Sequence, residues 1–227
     1  FLNCANCRPC FDGSPASCAR FNDMNFSGQR PDGSHALTLA EGNGTLHDRF
    51  FAQSSFATYA IAHERNTVKV RDDAPLELLG PLGCGIQTGA GTVLRALDLG
   101  LGDTFAVMGA GAVGLSAVMA AHAAGATTVI AVDVVPSRLE MAAELGATHV
   151  IELPANAFMQ SCKTLMGVVE GNSVPDVFVP QLLDLHMQGR FPFDRLATFY
   201  DFDQIQQAAA DAESGAAIKP ILRIGSV

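Results

Sequence analysis

Between Asp103 and Ile151 few architectures can satisfy the sequence, because the hexapeptide Gly109-Ala110-Gly111-Ala112-Val113-Gly114 stands between an apolar run and an alanine-rich one. A G-x-G-x-x-G pattern alone says little; its context gives it meaning. Here Thr104 to Met108 reads as a short strand and Val113 to Ala124 as a helix. Thr128 to Asp133 is a second strand rich in branched residues, and Pro136 to Leu145 a second helix with Pro in its first turn. Gly146 ends that helix, and His149 to Ile151 opens a third strand. Strand, helix and strand in alternation predict an α/β fold with a parallel sheet of the Rossmann type.

In that setting Gly109 permits a tight turn, Gly111 lets the backbone approach a pyrophosphate, and Gly114 lets helix and strand pack closely. Ala112 and Val113 open the helix, whose free N–H groups and partial positive charge suit an anion. Asp133 falls nineteen residues after Gly114, at the end of the next strand. A carboxylate there accepts hydrogen bonds from ribose hydroxyls and repels a 2′-phosphate, which favours NAD over NADP. A glycine turn used only for packing would not need that acid.

The second constraint is Cys4-x2-Cys7-x2-Cys10-x7-Cys18. Four thiolates this close can surround one Zn²⁺ tetrahedrally with no open position, so the expected site is structural. An iron–sulfur cluster competes, since ferredoxins also repeat cysteines at x2, but there the fourth follows after x3 beside Pro. The fourth here follows after x7, which favours zinc. Cys84 and Cys162 lie far away in sequence. Cys84, in Gly83-Cys84-Gly85, reads on composition as a small buried hydrophobe before it reads as a ligand.

The rest of the chain frames these motifs. Residues up to about Ala74 are polar and turn-rich, with strands expected in Phe50 to Ala62 and Asn66 to Arg71. Leu76 to Ala96 is helical in character, Thr164 to Val169 a strand, Pro175 to Gln188 and Phe202 to Ala212 helices, and Ile218 to Ile224 a last strand. With 48% hydrophobic and 16% charged residues the chain reads as globular. A net charge of −9 argues against nucleic acid, which recruits clustered Lys and Arg. The apolar run from Phe105 to Val134 is broken by Gly and His122 and is not a membrane span. With no signal peptide in view and four clustered thiols, a cytoplasmic setting is expected.

Taken in order, these features resemble the zinc-dependent medium-chain dehydrogenases, and more narrowly the benzyl (aryl) alcohol dehydrogenases. The likeness is carried by Phe50-Phe-Ala-Gln-Ser-Ser-Phe-Ala-Thr-Tyr59, Leu79-Gly-Pro-Leu-Gly-Cys-Gly-Ile-Gln-Thr88, Gly111-Ala-Val-Gly-Leu115, Val168-Val-Glu-Gly171 and Gly189-Arg-Phe-Pro-Phe193. The resemblance implies a partial GroES-like, β-rich catalytic domain over 1–82, with a structural-zinc lobe in 1–20 formed by Cys4, Cys7, Cys10 and Cys18. It implies a Rossmann nucleotide-binding domain over 83–190 and a return to the catalytic domain over 191–227. Cys84 matches a cysteine ligand of a catalytic zinc and Thr88 a threonine lining the nicotinamide. Gly109, Gly111 and Gly114 match the pyrophosphate turn, Asp133 the ribose acid, Arg138 a base beside that ribose, and Lys219 a base near the pyrophosphate. The implied reaction is hydride transfer to NAD from an aryl or allylic primary alcohol, assisted by zinc as a Lewis acid. A homo-oligomer (dimer or tetramer) is implied, associating through the Thr164 to Val169 edge.

The family pattern also carries a block ahead of the zinc lobe, with the first catalytic Cys and a Gly-His-Glu. None precedes Phe1, and none of His35, His47, His63, His122, His149 and His186 sits in that context, so surface or capping roles are expected for them. A stretch of chain is also expected to be missing near Val150 and Ile151, with a Cα separation well above the about 3.8 Å of a trans peptide. The alternative function is a catalytically incomplete zinc- and nucleotide-binding remnant of the same family.

Overall fold

The structure, a computed structural model, describes all residues except 31, 42–43, 45, 54–55, 153–167 and 225–227. The chain divides into two compact units, Phe1–Lys69 with Arg223–Val227, and Val70–Leu222. Residues 70–82 and 191–222 therefore go with the sheet-bearing unit.

In the first unit, α1 (Arg8–Phe11) and α2 (Phe21–Phe26) are short. What holds it is a row of aromatic contacts, Phe1–Phe21, Phe21–Phe26, Phe26–Phe51 and Phe50–Phe51, with ring centroids 4.9–6.0 Å apart. Asn25 is almost fully buried, and its side chain is fully used. It accepts from Leu2 N–H at 2.8 Å and donates to the carbonyls of Leu2 and Phe21 at 2.9 and 2.8 Å. That pins the start of the chain to α2.

The strands expected in Phe50 to Ala62 and Asn66 to Arg71 are not formed. A single bridge, Phe50 to Gln53, stands there among the described residues. Phe51 and Ala52 take φ of 52° and 61°, which no strand can contain. Their backbone groups are spent locally, since Phe51 N–H donates to Asn25 O and Asn66 Nδ2 donates to Phe51 O. Turn chemistry overrides the alternating pattern.

The second unit follows the sequence closely. β1 (Thr104–Met108), β2 (Thr128–Asp133) and β3 (His149–Glu152) form a parallel sheet in that order. α4 (Ala112–Ala124) and α5 (Pro136–Glu144) are the crossovers. From Gly114 to Ala121 every residue of α4 is buried, so this helix is apolar on all sides and lies inside the unit. It packs on α3 (Gly85–Gly91), where a Cβ at Gly89 would overlap the Val113 carbonyl oxygen. After α3 the helix widens into a π-helical turn, Thr92–Ala96.

Val150 and Ile151, where the missing stretch is expected, stand next to each other in β3, paired with Ala131 and Val132 of β2. The strand expected over Thr164 to Val169 falls largely outside the described residues, as does Cys162. Val168 and Val169 are not in a strand. α6 (Pro175–Met187) follows, with Phe178, Val179, Leu182 and Leu183 buried. β4 (Ala197–Asp201), not anticipated, pairs with β5 (Lys219–Arg223) in a two-stranded sheet, α7 (Ile205–Ser214) lying between them in sequence.

Candidate metal lobe and dinucleotide site

The first unit gathers the four cysteines. The Sγ atoms of Cys4, Cys7, Cys10 and Cys18 all lie within 4.8 Å of one another. Tetrahedral zinc with bonds of about 2.3 Å sets its sulfurs about 3.8 Å apart. Cys7 Sγ lies 3.5 Å from Cys10 Sγ and 4.0 Å from Cys18 Sγ, so the donor set fits zinc. Backbone amides converge on the sulfurs as they do on thiolates. Ala19 N–H points at Cys7 Sγ at 3.5 Å, and Cys4 and Arg20 N–H at Cys18 Sγ, each at 3.4 Å. The Ala19 and Cys10 backbone groups pull the Cys7 thiol down to about 6, while burial and its hydrogen bond with Cys7 push Cys10 up to about 12.

In the second unit the glycine turn behaves as its spacing predicts. Gly109 takes φ of 97°, and its N–H donates to Val132 O of β2 at 2.8 Å. A Cβ at Gly114 would overlap the Gly109 carbonyl oxygen, so only glycine lets the helix start this close to the turn. Gly111 is the N-cap of α4, and no side chain caps it. The N–H groups of Ala112 and Val113 therefore open the helix without a side-chain partner, an arrangement that suits an anion.

Asp133, at the end of β2, is buried. Its Oδ2 accepts from Ala110 N–H at 2.5 Å, and its Oδ1 from Val134 and Val135 N–H at 2.7 and 2.9 Å. Burial works to raise its carboxyl. The three backbone hydrogen bonds and the Arg138 charge outweigh burial and hold it below the usual carboxylate range. Three of its about four acceptor sites are thus committed to shaping the turn, one on Oδ2 being left over. Arg138, on α5, keeps a buried Nε without a hydrogen-bond partner.

Cys84 is exposed, so it is not the small buried hydrophobe of the compositional reading. Partial desolvation of its thiol and the charge of Glu170 push it up, while Lys219 of β5 opposes them. Thr88 Oγ1 donates to Cys84 O at 2.9 Å one turn on. Among the described residues, Cys84 belongs to no group of three or more His, Cys or carboxylate side chains able to hold a metal. The catalytic-zinc donor set implied by the resemblance is not assembled by these residues. Of the histidines, His63 Nδ1 accepts from Arg65 N–H and caps a short helical turn, as expected of it, whereas the largely buried His186 ring lies 3.2 Å from Phe191 O.

One residue of the site went unnoticed in the sequence. Glu170 is buried, and its Oε2 accepts from Gln87 Nε2 at 2.9 Å and lies 3.4 Å from Thr88 Oγ1. Burial pushes its carboxyl up, and the two hydrogen bonds offset that only partly. In the sequence it stands only within the Val168–Gly171 stretch that carries the family likeness, and no spacing rule brings it to α3.

The comparisons with known proteins agree with this geometry. The zinc-binding dehydrogenase family model matches residues 112–182. A geraniol dehydrogenase from Castellaniella defragrans is 38% identical, the match covering 98% of this chain and 75% of that protein. The chain belongs to the zinc-dependent medium-chain alcohol dehydrogenases. Two crystal structures in this family superpose on it closely. An alcohol dehydrogenase zinc-binding domain protein from Burkholderia ambifaria is 47% identical with a TM-score of 0.92, over 100% of this chain and 76% of that one. Benzyl alcohol dehydrogenase from Acinetobacter calcoaceticus is 41% identical with a TM-score of 0.88, over 99% and 76%. The match to the geraniol enzyme extends over 282 positions against 227 residues here, so at least 55 of those positions face no residue of this medium-chain dehydrogenase. No helix among the described residues is long and apolar enough to cross a membrane.

Proposed function

We propose that the protein transfers a hydride from a primary aryl or allylic alcohol, of the benzyl alcohol type, to NAD, releasing the aldehyde and a proton. The observation that carries this reading is the uncapped start of α4, set between the Gly109 turn and the buried Asp133. The relatives named for benzyl alcohol and geraniol support the alcohol class. In this reading the α4 N–H groups hold the pyrophosphate and Asp133 orders the adenosine ribose, with Arg138 beside it. Lys219 supplies positive charge on the Cys84 side, and Thr88 lines the nicotinamide. Bound NAD supplies the hydride acceptor; the chain supplies orientation and exclusion of water. The four-cysteine lobe holds a structural zinc. A dimer or tetramer in the reducing cytoplasm, where thiols stay free to ligate, belongs to the same reading.

With benzyl alcohol and NAD, the purified protein is expected to form NADH, and a zinc chelator to suppress the rate. No NADH with any primary alcohol would remove the catalytic reading. A second reading, a zinc- and nucleotide-binding protein without catalysis, is favoured by Cys84 standing apart from other metal donors. Metal analysis separates the two: the enzyme holds two zincs per chain and the binding protein one. Asp133→Asn, which removes the charge facing a 2′-phosphate, is expected to shift the NADP/NAD affinity ratio toward NADP by about tenfold, a change of about 1.4 kcal/mol. An unchanged ratio would detach Asp133 from the ribose.

A further inference from the structure

Glu170 is a carboxylate with an unusual setting. It is 7% exposed, and among the described residues no Lys, Arg or His forms an ion pair with it. Its hydrogen-bond donor is neutral, the Gln87 amide, and the Thr88 hydroxyl, whose hydrogen goes to Cys84 O, lies 3.4 Å away. Gln87 is itself fully buried, its amide donating also to Gly83 O at 2.7 Å and its Oε1 lying 3.3 Å from Ser173 Oγ. The Gln87 amide gives its hydrogen to Oε2, which suits the ionised acid, while burial works against the charge. The backbone here is strained. Glu170, Gly171 and Asn172 take φ of 48°, 66° and 50°, three left-handed residues in a row of which only one is glycine. The strain is held by close packing, because a Cβ on Gly91 would come within 2.6 Å of Gly171 O, and by Ser173 Oγ donating to Glu170 O at 2.7 Å. Strain of this kind gathers where a side chain must be presented in one direction.

That direction is toward the first turn of α3, which packs on the start of α4, where Gly85 and Gly89 face Val113. A dinucleotide with its pyrophosphate on α4 lies in this crevice, beyond the C-terminal ends of the strands. We propose that Glu170 is the negative partner of the oxidised nicotinamide ring, so that the site holds the oxidised dinucleotide in preference to the reduced one. This rests on the NAD reading above. The oxidised ring carries a positive charge that the reduced ring lacks, while the rest of the molecule is the same. A buried carboxylate nearby therefore acts on one redox form and leaves the other almost untouched. It also favours alcohol oxidation, since reduction of the ring releases the product from its counter-charge.

The test is calorimetric binding of NAD, NADH and ADP-ribose to the wild-type protein, Glu170→Gln and Glu170→Asp. Glu170→Gln should weaken NAD about tenfold and leave NADH within about twofold, and Glu170→Asp should stay near wild type. Equal weakening of both, or no change in either, would mean that Glu170 only supports the turn, and the proposal would fall while the nucleotide site stood. Should Glu170→Gln fail to fold, the wild type alone decides. NAD must bind several-fold more tightly than ADP-ribose, and NADH must gain less; NAD no tighter than ADP-ribose overturns the proposal. Binding of none of the three ligands by the wild type would remove the nucleotide reading itself, and this proposal with it.

Discussion

Gly114→Ala is expected to abolish measurable dinucleotide binding and to lower the melting temperature by about 10 °C. The added methyl group has nowhere to go. It would overlap the Gly109 carbonyl oxygen, a backbone atom fixed by the hydrogen bond from Gly109 N–H to Val132 O. Relief requires α4 to slide away from the turn, yet α4 is buried along Gly114 to Ala121 and cannot move without opening the contact with α3. Overpacking of this kind costs about 3 kcal/mol, and for a unit of this size each kcal/mol lowers the midpoint by about 2–4 °C. The same slide displaces the Ala112 and Val113 N–H groups, which in the proposed reading hold the pyrophosphate. Thermal melting with and without NAD checks both effects together. A variant that still gains stability from NAD as the wild type does would show that the turn tolerates the displacement.

Removing the metal from the cysteine lobe is expected to have the other large effect, on the first unit. Cys18→Ser replaces a buried sulfur that accepts two backbone N–H groups. Without metal the four sulfurs, within 4.8 Å of each other, would have to coexist as mutually repelling thiolates or take up protons. Structural zinc supplies on the order of 10 kcal/mol of apparent binding energy in small domains, far more than the short helices α1 and α2 supply alone. The expected result is loss of one zinc per chain and rapid proteolysis within residues 1–30, while NAD-dependent stabilisation of the sheet-bearing unit persists. Proton release on adding zinc back to the apo-protein should accompany recovery, because Cys10, pushed up to about 12, must lose its proton to ligate. Full protease resistance without metal would show that the aromatic row suffices.

Local rules decided a good deal. The strands β1, β2 and β3, the helices α4, α5 and α6, and the glycine turn were legible because each meets its neighbour within a few tens of residues. There the hydrophobic period and the turn chemistry agree. The cysteine cluster was legible for the same reason, since fourteen residues separate its ends and the spacing nearly dictates the convergence. Family likeness carried Cys84 forward where composition would have left it in the core; in the structure it is exposed.

Tertiary structure alone decided the rest. Whether Phe50 to Ala62 becomes a strand depends on a neighbour to take its hydrogen bonds, and Asn25 and Asn66 claim them first at Phe51. Whether Glu170 is a surface turn residue or a buried charge depends on α3, more than eighty residues earlier, where Gln87 and Gly91 receive it. Sequence patterns record what a residue prefers over one turn or one strand. They do not record which distant backbone comes within van der Waals reach, and that distance separates a solvated acid from a buried one.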